Sequence, residues 1–121
     1  MNICTDLDGT IAEYNGQYKF NEIGAPIMPV IRKIQNLHAA GYKLFIQTTR
    51  SWAEYDAVKK WLDKNDIPYE QIIMGGKPIA YAYLDDRAVN PTVPGWEERL
   101  DKLVDNPFIL GHIKKQPQNI P

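Results

Sequence analysis

The chain has 121 residues, a formal net charge of −1 and 44% hydrophobic residues, which is enough for one domain with a real core but leaves no room for a second. No basic run exceeds two residues, so nothing announces a nucleic-acid or membrane surface, and no stretch approaches the ~20 apolar residues of a membrane span. The one cysteine, Cys4, excludes an internal disulfide framework and reads as strand filler in a reducing compartment. Because Asp6 and Asp8 interrupt the start of the chain, no signal-peptide pattern develops, and a cytoplasmic protein is expected.

Residues 2–6, "NICTD", are short, apolar and β-branched, and predict a buried first strand bounded by Gly9. In residues 12–20, "AEYNGQYKF", Asn15-Gly16 is a type I′ turn signal flanked by Tyr14, Tyr18 and Phe20, which predicts a small β-hairpin. A helix follows, opening at Pro29, stopping at Gly41 and setting Ile31, Ile34 and Leu37 on one face; His38 falls at the edge of that face or in solvent. Residues 42–47 predict the second strand. Ser51 and Glu54 form a capping-box pattern for a helix that turns Tyr55, Val58 and Leu62 inward and ends near Asn65. Spacing does not decide whether Trp52 and Trp61 are core or surface.

Past the breaker Ile67-Pro68, "QIIM" predicts a third strand, "GGKP" a loop, and "IAYAYL", residues 79–84, a fourth strand ending in Asp85-Asp86. The last helix, about Trp96 to Val104, is expected to bury Leu100 and Leu103. From about residue 105 the tail reads as irregular, docked through Phe108, Ile109 and Leu110. There is no internal repeat. Alternating strands and helices predict an α/β domain over residues 1–121 with a Rossmann-like, doubly wound parallel sheet. Ligands of such sheets sit outside the carboxyl ends of the strands, where strand order reverses.

The polar clusters fall at those ends: Asp6 and Asp8 after the first strand, Thr48, Thr49 and Arg50 after the second, Asp85 and Asp86 after the fourth. Four carboxylates in one crevice repel unless a cation neutralises them. All the ligands are hard oxygens with no His or Cys placed to join them, which favours Mg2+ over Zn2+ or copper. Lys77, Arg50 and the threonines add the positive charge and hydroxyl donors that a phosphoryl group requires.

Order and spacing also resemble a family. "DLDGT" (6–10), the Thr closing the strand in "LFIQTTR", the Lys of "GGKP" and the carboxylates of "YLDDRA" are similar to the four motifs of the haloacid dehalogenase superfamily, mostly Mg2+-dependent phosphatases. The likeness runs to about residue 90, and residues 61–91 further resemble small capless members found with polysaccharide genes and in phages. That resemblance implies Asp6 as nucleophile forming an aspartyl phosphate, and Asp8 as the acid that protonates the leaving oxygen and then activates water. It implies Thr48, or Thr49 in its place, with Lys77 and Arg50 on the phosphate. Mg2+ would be held by Asp6, the Asp8 carbonyl, and Asp85 or Asp86, one of them directly. Arg87 is a weaker candidate.

Only residues 11–28 separate the first motif from the first helix, and about 25 residues separate Arg50 from Gly76, which leaves room for the hairpin as a flap but for no cap domain. Substrate selection then falls to the flap, the tail or a second copy of the chain. The expected activity is hydrolysis of a small phosphorylated metabolite such as a sugar phosphate. A nucleotide or nucleic-acid-end phosphatase is the alternative within the same chemistry, disfavoured by the missing basic patch. A non-catalytic binding module is the alternative from another class. A phosphoacceptor receiver would carry its acceptor Asp on a later strand, and a dehalogenase would need neither Asp8 nor a metal pair.

Overall fold

The computed structural model describes residues 1–105, so the expected tail with Phe108, Ile109 and Leu110 lies outside the described residues. Its three strands are β1 (Asn2–Thr5), β2 (Lys43–Thr48) and β3 (Gln71–Met74), and its helices are α1 (Met28–Ala39), α2 (Tyr55–Lys64) and α3 (Trp96–Val104). The strands form one parallel sheet in the order β1-β2-β3, with Thr5 beside Ile46 and Ile46 beside Ile72. The chain divides into two compact units, Met1–Ala82 and Tyr83–Pro121. The whole sheet belongs to the first.

Register assigns the two sheet faces. Neighbouring residues of parallel strands share a face, so Thr5, Leu44, Ile46, Thr48, Ile72 and Met74 point one way, and all six are buried. Both crossovers advance in the same direction across the sheet, and right-handed connections therefore place α1 and α2 on that one face. Val30, Ile31, Ile34 and Leu37 of α1 and Val58 and Leu62 of α2 supply the buried helical stripe. The opposite face carries exposed Cys4, Lys43 and Gln71 with half-buried Phe45 and Ile73. The first strand is thus buried on one face only, and Cys4 is not core filler.

Punctuation residues act as expected at α1. Pro29 sits in its first turn, where a missing N–H costs nothing, and Gly41 (φ 101°) ends it. The backbone N–H of Tyr42 reaches back to the Leu37 carbonyl (3.0 Å), closing the helix as a Schellman turn.

Three expectations fail. Residues 79–84 form no strand, and Ile79, Tyr81 and Leu84 are almost fully exposed. Strand propensity records how well a side chain packs on a pleated, half-buried surface, and this segment has no ladder partner among the described residues. Without it the strand order never reverses, so the described sheet is wound in one direction only.

The hairpin is also absent. Only Gly16 of the Asn15-Gly16 pair has positive φ (91°), whereas a type I′ turn needs both; the Asn15 side chain instead accepts the Gln17 N–H (2.9 Å) as an Asx turn. Residues 13–24 are an irregular loop closed at its neck by an isolated antiparallel bridge between Ala12 and Pro26. Finally, Leu100 and Leu103 of α3 are half-buried, and no residue of that helix is fully buried.

Adjacent residues on opposite faces test this account. Leu44→Ala is expected to lower the unfolding free energy by about 2–5 kcal/mol, and Phe45→Ala by less, as measured by chemical denaturation. A larger loss at Phe45 would place the core on the other face.

Candidate functional site

Beyond β1 the chain turns tightly over residues 7–12. The N–H groups of Thr10, Ile11 and Ala12 all point at the Leu7 carbonyl (3.1–3.2 Å), and Gly9 donates back to Ala12 (2.7 Å) with φ at 82°, a conformation that favours glycine. Leu7, Ile11 and Ala12 are completely buried. With Leu7 plugged into the core, Asp6 and Asp8 on either side of it are left part-exposed at the carboxyl end of β1.

Each carboxylate has its own cation. Asp6 accepts the Leu7 N–H through Oδ1 (2.8 Å) and faces the Lys77 ammonium through Oδ2 (3.2 Å). Asp8 receives a fork from Arg50, Nε to Oδ2 at 2.9 Å and Nη2 to Oδ1 at 2.8 Å. Two protein cations neutralise the pair.

Arg50 is 4% exposed and all five of its N–H donors are occupied. Besides Asp8 it reaches the carbonyls of Lys19 (3.1 Å) and Glu22 (2.9 Å) and the Glu54 carboxylate (2.5 Å). Arg50, expected on the phosphate, thus has its donors engaged within the protein.

Glu54 is 1% exposed. Its Oε1 also accepts the Asn21 N–H (2.8 Å), and its Oε2 accepts the Tyr18 hydroxyl, whose ring lies 5.1 Å from the Arg50 guanidinium. Loop 13–24 is therefore pinned by Arg50 and Glu54 at Tyr18, Lys19, Asn21 and Glu22. Trp61 of α2 holds its end by donating to the Gly24 carbonyl (3.0 Å). A Cβ at Gly24 would stand 2.1 Å from the Glu13 carbonyl oxygen, so only glycine fits that neck.

The capping box does not form. Ser51 makes no side-chain cap, the chain runs through a 3₁₀ turn (Trp52–Glu54) into α2, and Glu54 turns inward to Arg50. Sequence reasoning therefore missed Glu54 as a site residue. The available signal was its place four residues after Arg50, a spacing that pairs side chains on a helical turn.

Thr48 is 1% exposed, and its hydroxyl oxygen accepts the Arg50 N–H (3.1 Å), leaving its own O–H to donate. Thr49 is exposed. The loop carrying Lys77 is tied to the end of β2 twice: Gly75 N–H to the Arg50 carbonyl (2.7 Å), and Gln47 Nε2 to the Gly76 carbonyl (3.1 Å). Asp6, Asp8, Thr48, Arg50 and Lys77 are thus gathered at the ends of β1, β2 and β3.

Asp85 and Asp86 lie in the second unit. Asp85 accepts the Arg87 N–H (2.9 Å) in a local turn, and Asp86 is 91% exposed beside Arg87. Among the described residues no group of three or more His, Cys, Asp or Glu side chains is gathered to hold a metal.

Burial pushes the Glu54 carboxyl up, but hydrogen bonds from Tyr18, Asn21 and Arg50 outweigh it and hold the group below its ordinary 4.5. The same contact with Glu54 raises the Tyr18 phenol, and the Asp8 carboxylate raises the Arg50 guanidinium. Arg50 stays charged throughout.

No protein-family model matches the chain, and no curated protein sequence matches it either. Among solved structures it is similar to a structural-genomics target from Vibrio cholerae, with 27% identity, a TM-score of 0.67, and 84% of this chain and 94% of that chain covered. A chain of the Pnkp1/Rnl/Hen1 RNA repair complex is also similar, at 25% identity and a TM-score of 0.53. That match covers 71% of this chain but only 28% of the other, and no helix among the described residues is long and apolar enough to cross a membrane.

Removing one partner from a buried ion pair leaves the others uncompensated, so Arg50→Ala is expected to cost about 3–5 kcal/mol in denaturant unfolding near neutral pH. A group held below its ordinary value stabilises the fold above that value and ceases to as pH falls through its folded pKa. Wild type is therefore expected to lose stability as pH drops below 4.5, while Glu54→Gln starts lower and varies less over that interval. Parallel stability curves for the two proteins would contradict the assignment.

Proposed function

We propose that this chain is a phosphomonoester phosphatase of the haloacid dehalogenase type. The observation that carries the reading is the pair Asp6 and Asp8 at the end of β1, each aimed by its own cation, Lys77 and Arg50. Thr48 stands at the end of the neighbouring strand. A carboxylate is nucleophilic at neutral pH without a base, so Asp6 suits attack on phosphorus. Its oxygen forms the new P–O bond as the ester P–O bond breaks, and Asp8, which takes up a proton as one of its two contacts with Arg50 opens, gives that proton to the leaving oxygen. Asp8 then takes a proton from water, whose oxygen attacks the aspartyl phosphate and releases inorganic phosphate with Asp6 restored.

Thr48, Thr49 and Lys77 are the groups for the phosphoryl oxygens. Arg50 instead orients Asp8. Hard oxygen donors suit Mg2+, which Asp6 and the Asp8 main-chain carbonyl would hold in the first unit. When bound, the ion adds positive charge where the phosphoryl group carries negative charge.

The favoured substrate is a small phosphorylated metabolite, since no basic run marks a polyanion track. Similarity to a chain of an RNA repair complex supports a second reading, a phosphatase for nucleic-acid ends. Sugar phosphates and phosphorylated oligonucleotides, assayed side by side, separate the two.

Asp6→Asn is expected to abolish phosphate release, and EDTA to stop it in wild type with recovery on adding Mg2+. Turnover unchanged by EDTA would remove the metal from the reading, and wild-type rates in Asp6→Asn would remove the nucleophile.

A further inference from the structure

The network around Arg50 gathers more than a nucleophile and an acid require. A carboxylate that is 1% exposed, four residues past Arg50, binds that guanidinium, the Asn21 N–H and the Tyr18 hydroxyl together. Burying a carboxylate is costly unless its partners are well placed to satisfy it.

We propose that Glu54 is a positioning residue: through Arg50 it sets the Asp8 carboxylate, and through Asn21 and Tyr18 it latches loop 13–24 beside that carboxylate. The part concerning catalysis rests on the phosphatase reading of Asp8. Geometry supports it as follows. An arginine side chain has several rotatable bonds, and only its fork has a fixed shape. The Asp8 side of the fork, Nε and Nη2, is defined once the remaining nitrogen is anchored. Glu54 supplies that anchor at Nη1, together with the Lys19 carbonyl. One end of the anchor comes from loop 13–24 and the other from the 3₁₀ turn ahead of α2. Loop 13–24 then forms a fixed wall presenting Tyr14, Tyr18 and Phe20, which are 45%, 55% and 56% exposed. With the loop held this way, one carboxylate controls the placement of the proton donor and the shape of the adjacent surface.

The test compares wild type, Glu54→Gln and Glu54→Ala on an alkyl phosphate and an aryl phosphate, both with Mg2+. kcat/KM reports the first chemical step, in which an alkyl leaving oxygen needs the Asp8 proton and an acidic phenol needs it far less. Misplacing a reacting group by about 1 Å costs roughly 10²-fold. Glu54→Ala is therefore expected to lower kcat/KM for the alkyl ester by roughly that factor and for the aryl ester by much less. Glu54→Gln, whose amide oxygen still accepts hydrogen bonds, should show a smaller effect in the same direction. Equal fractional losses on the two esters would mean only a smaller folded fraction and would overturn the proposal.

Hydrogen exchange at the Arg50 Nε–H and the Asn21 amide, read by NMR in the same proteins, does not depend on turnover. Both are expected to exchange faster in Glu54→Ala, or in Glu54→Gln if the alanine variant does not fold. Unchanged exchange at either site overturns the proposal. Faster exchange at both, with no hydrolysis of either ester by wild type, would leave the latch standing and sink the phosphatase reading.

Discussion

The Arg50 guanidinium has five donors, and all five are used inside the protein. That saturation constrains everything around it. The guanidinium is anchored to the end of β2, takes Asp8 from the end of β1, and takes Glu54 from the 3₁₀ turn that leads into α2. Two carbonyls of loop 13–24 complete the set. A lysine carries three donors from a single nitrogen and has no planar fork. The arrangement therefore specifies arginine by shape as well as by charge.

The cost of the site follows from the same network. Asp6 and Asp8 lie two residues apart, and on their own they would repel. Leu7 between them is driven fully into the core, which separates their roles while holding both carboxylates at one strand end. Lys77 and Arg50 then neutralise them individually, from the segments that follow β3 and β2. Arg50 takes both oxygens of Asp8, whereas Asp6 has one on the Leu7 N–H and one facing Lys77, so the two carboxylates present distinct environments despite identical chemistry.

Much of this was legible in the sequence. Hydrophobic periodicity and the Pro and Gly punctuation located α1, α2, α3 and the three paired strands, because each depends on local spacing and termination. The clustering of Asp6, Asp8, Thr48 and Arg50 followed from the rule that strand ends carry the chemistry of such sheets. What failed depended on partners the pattern does not name. "IAYAYL" alternates like a strand but has no ladder, and Asn15-Gly16 turns without both residues entering positive φ. Glu54 matched a capping box and instead became the buried partner of Arg50. Local motifs could not register that competition, since a buried cation attracts a nearby carboxylate more strongly than a helix end does.

The central claim is that Asp6 forms a bond to phosphorus and Asp8 is needed to clear it. Asp8→Asn can neither donate nor accept the required proton, and it retains only one of the two acceptors that meet the Arg50 fork. Mixed with an aryl phosphate and Mg2+, it should take up phosphate faster than it releases it. Intact-mass spectrometry of the quenched protein, followed by peptide mapping, measures this directly. The account predicts one added phosphoryl group, located at Asp6. An unmodified mass while Asp8→Asn turns over at the wild-type rate would contradict it.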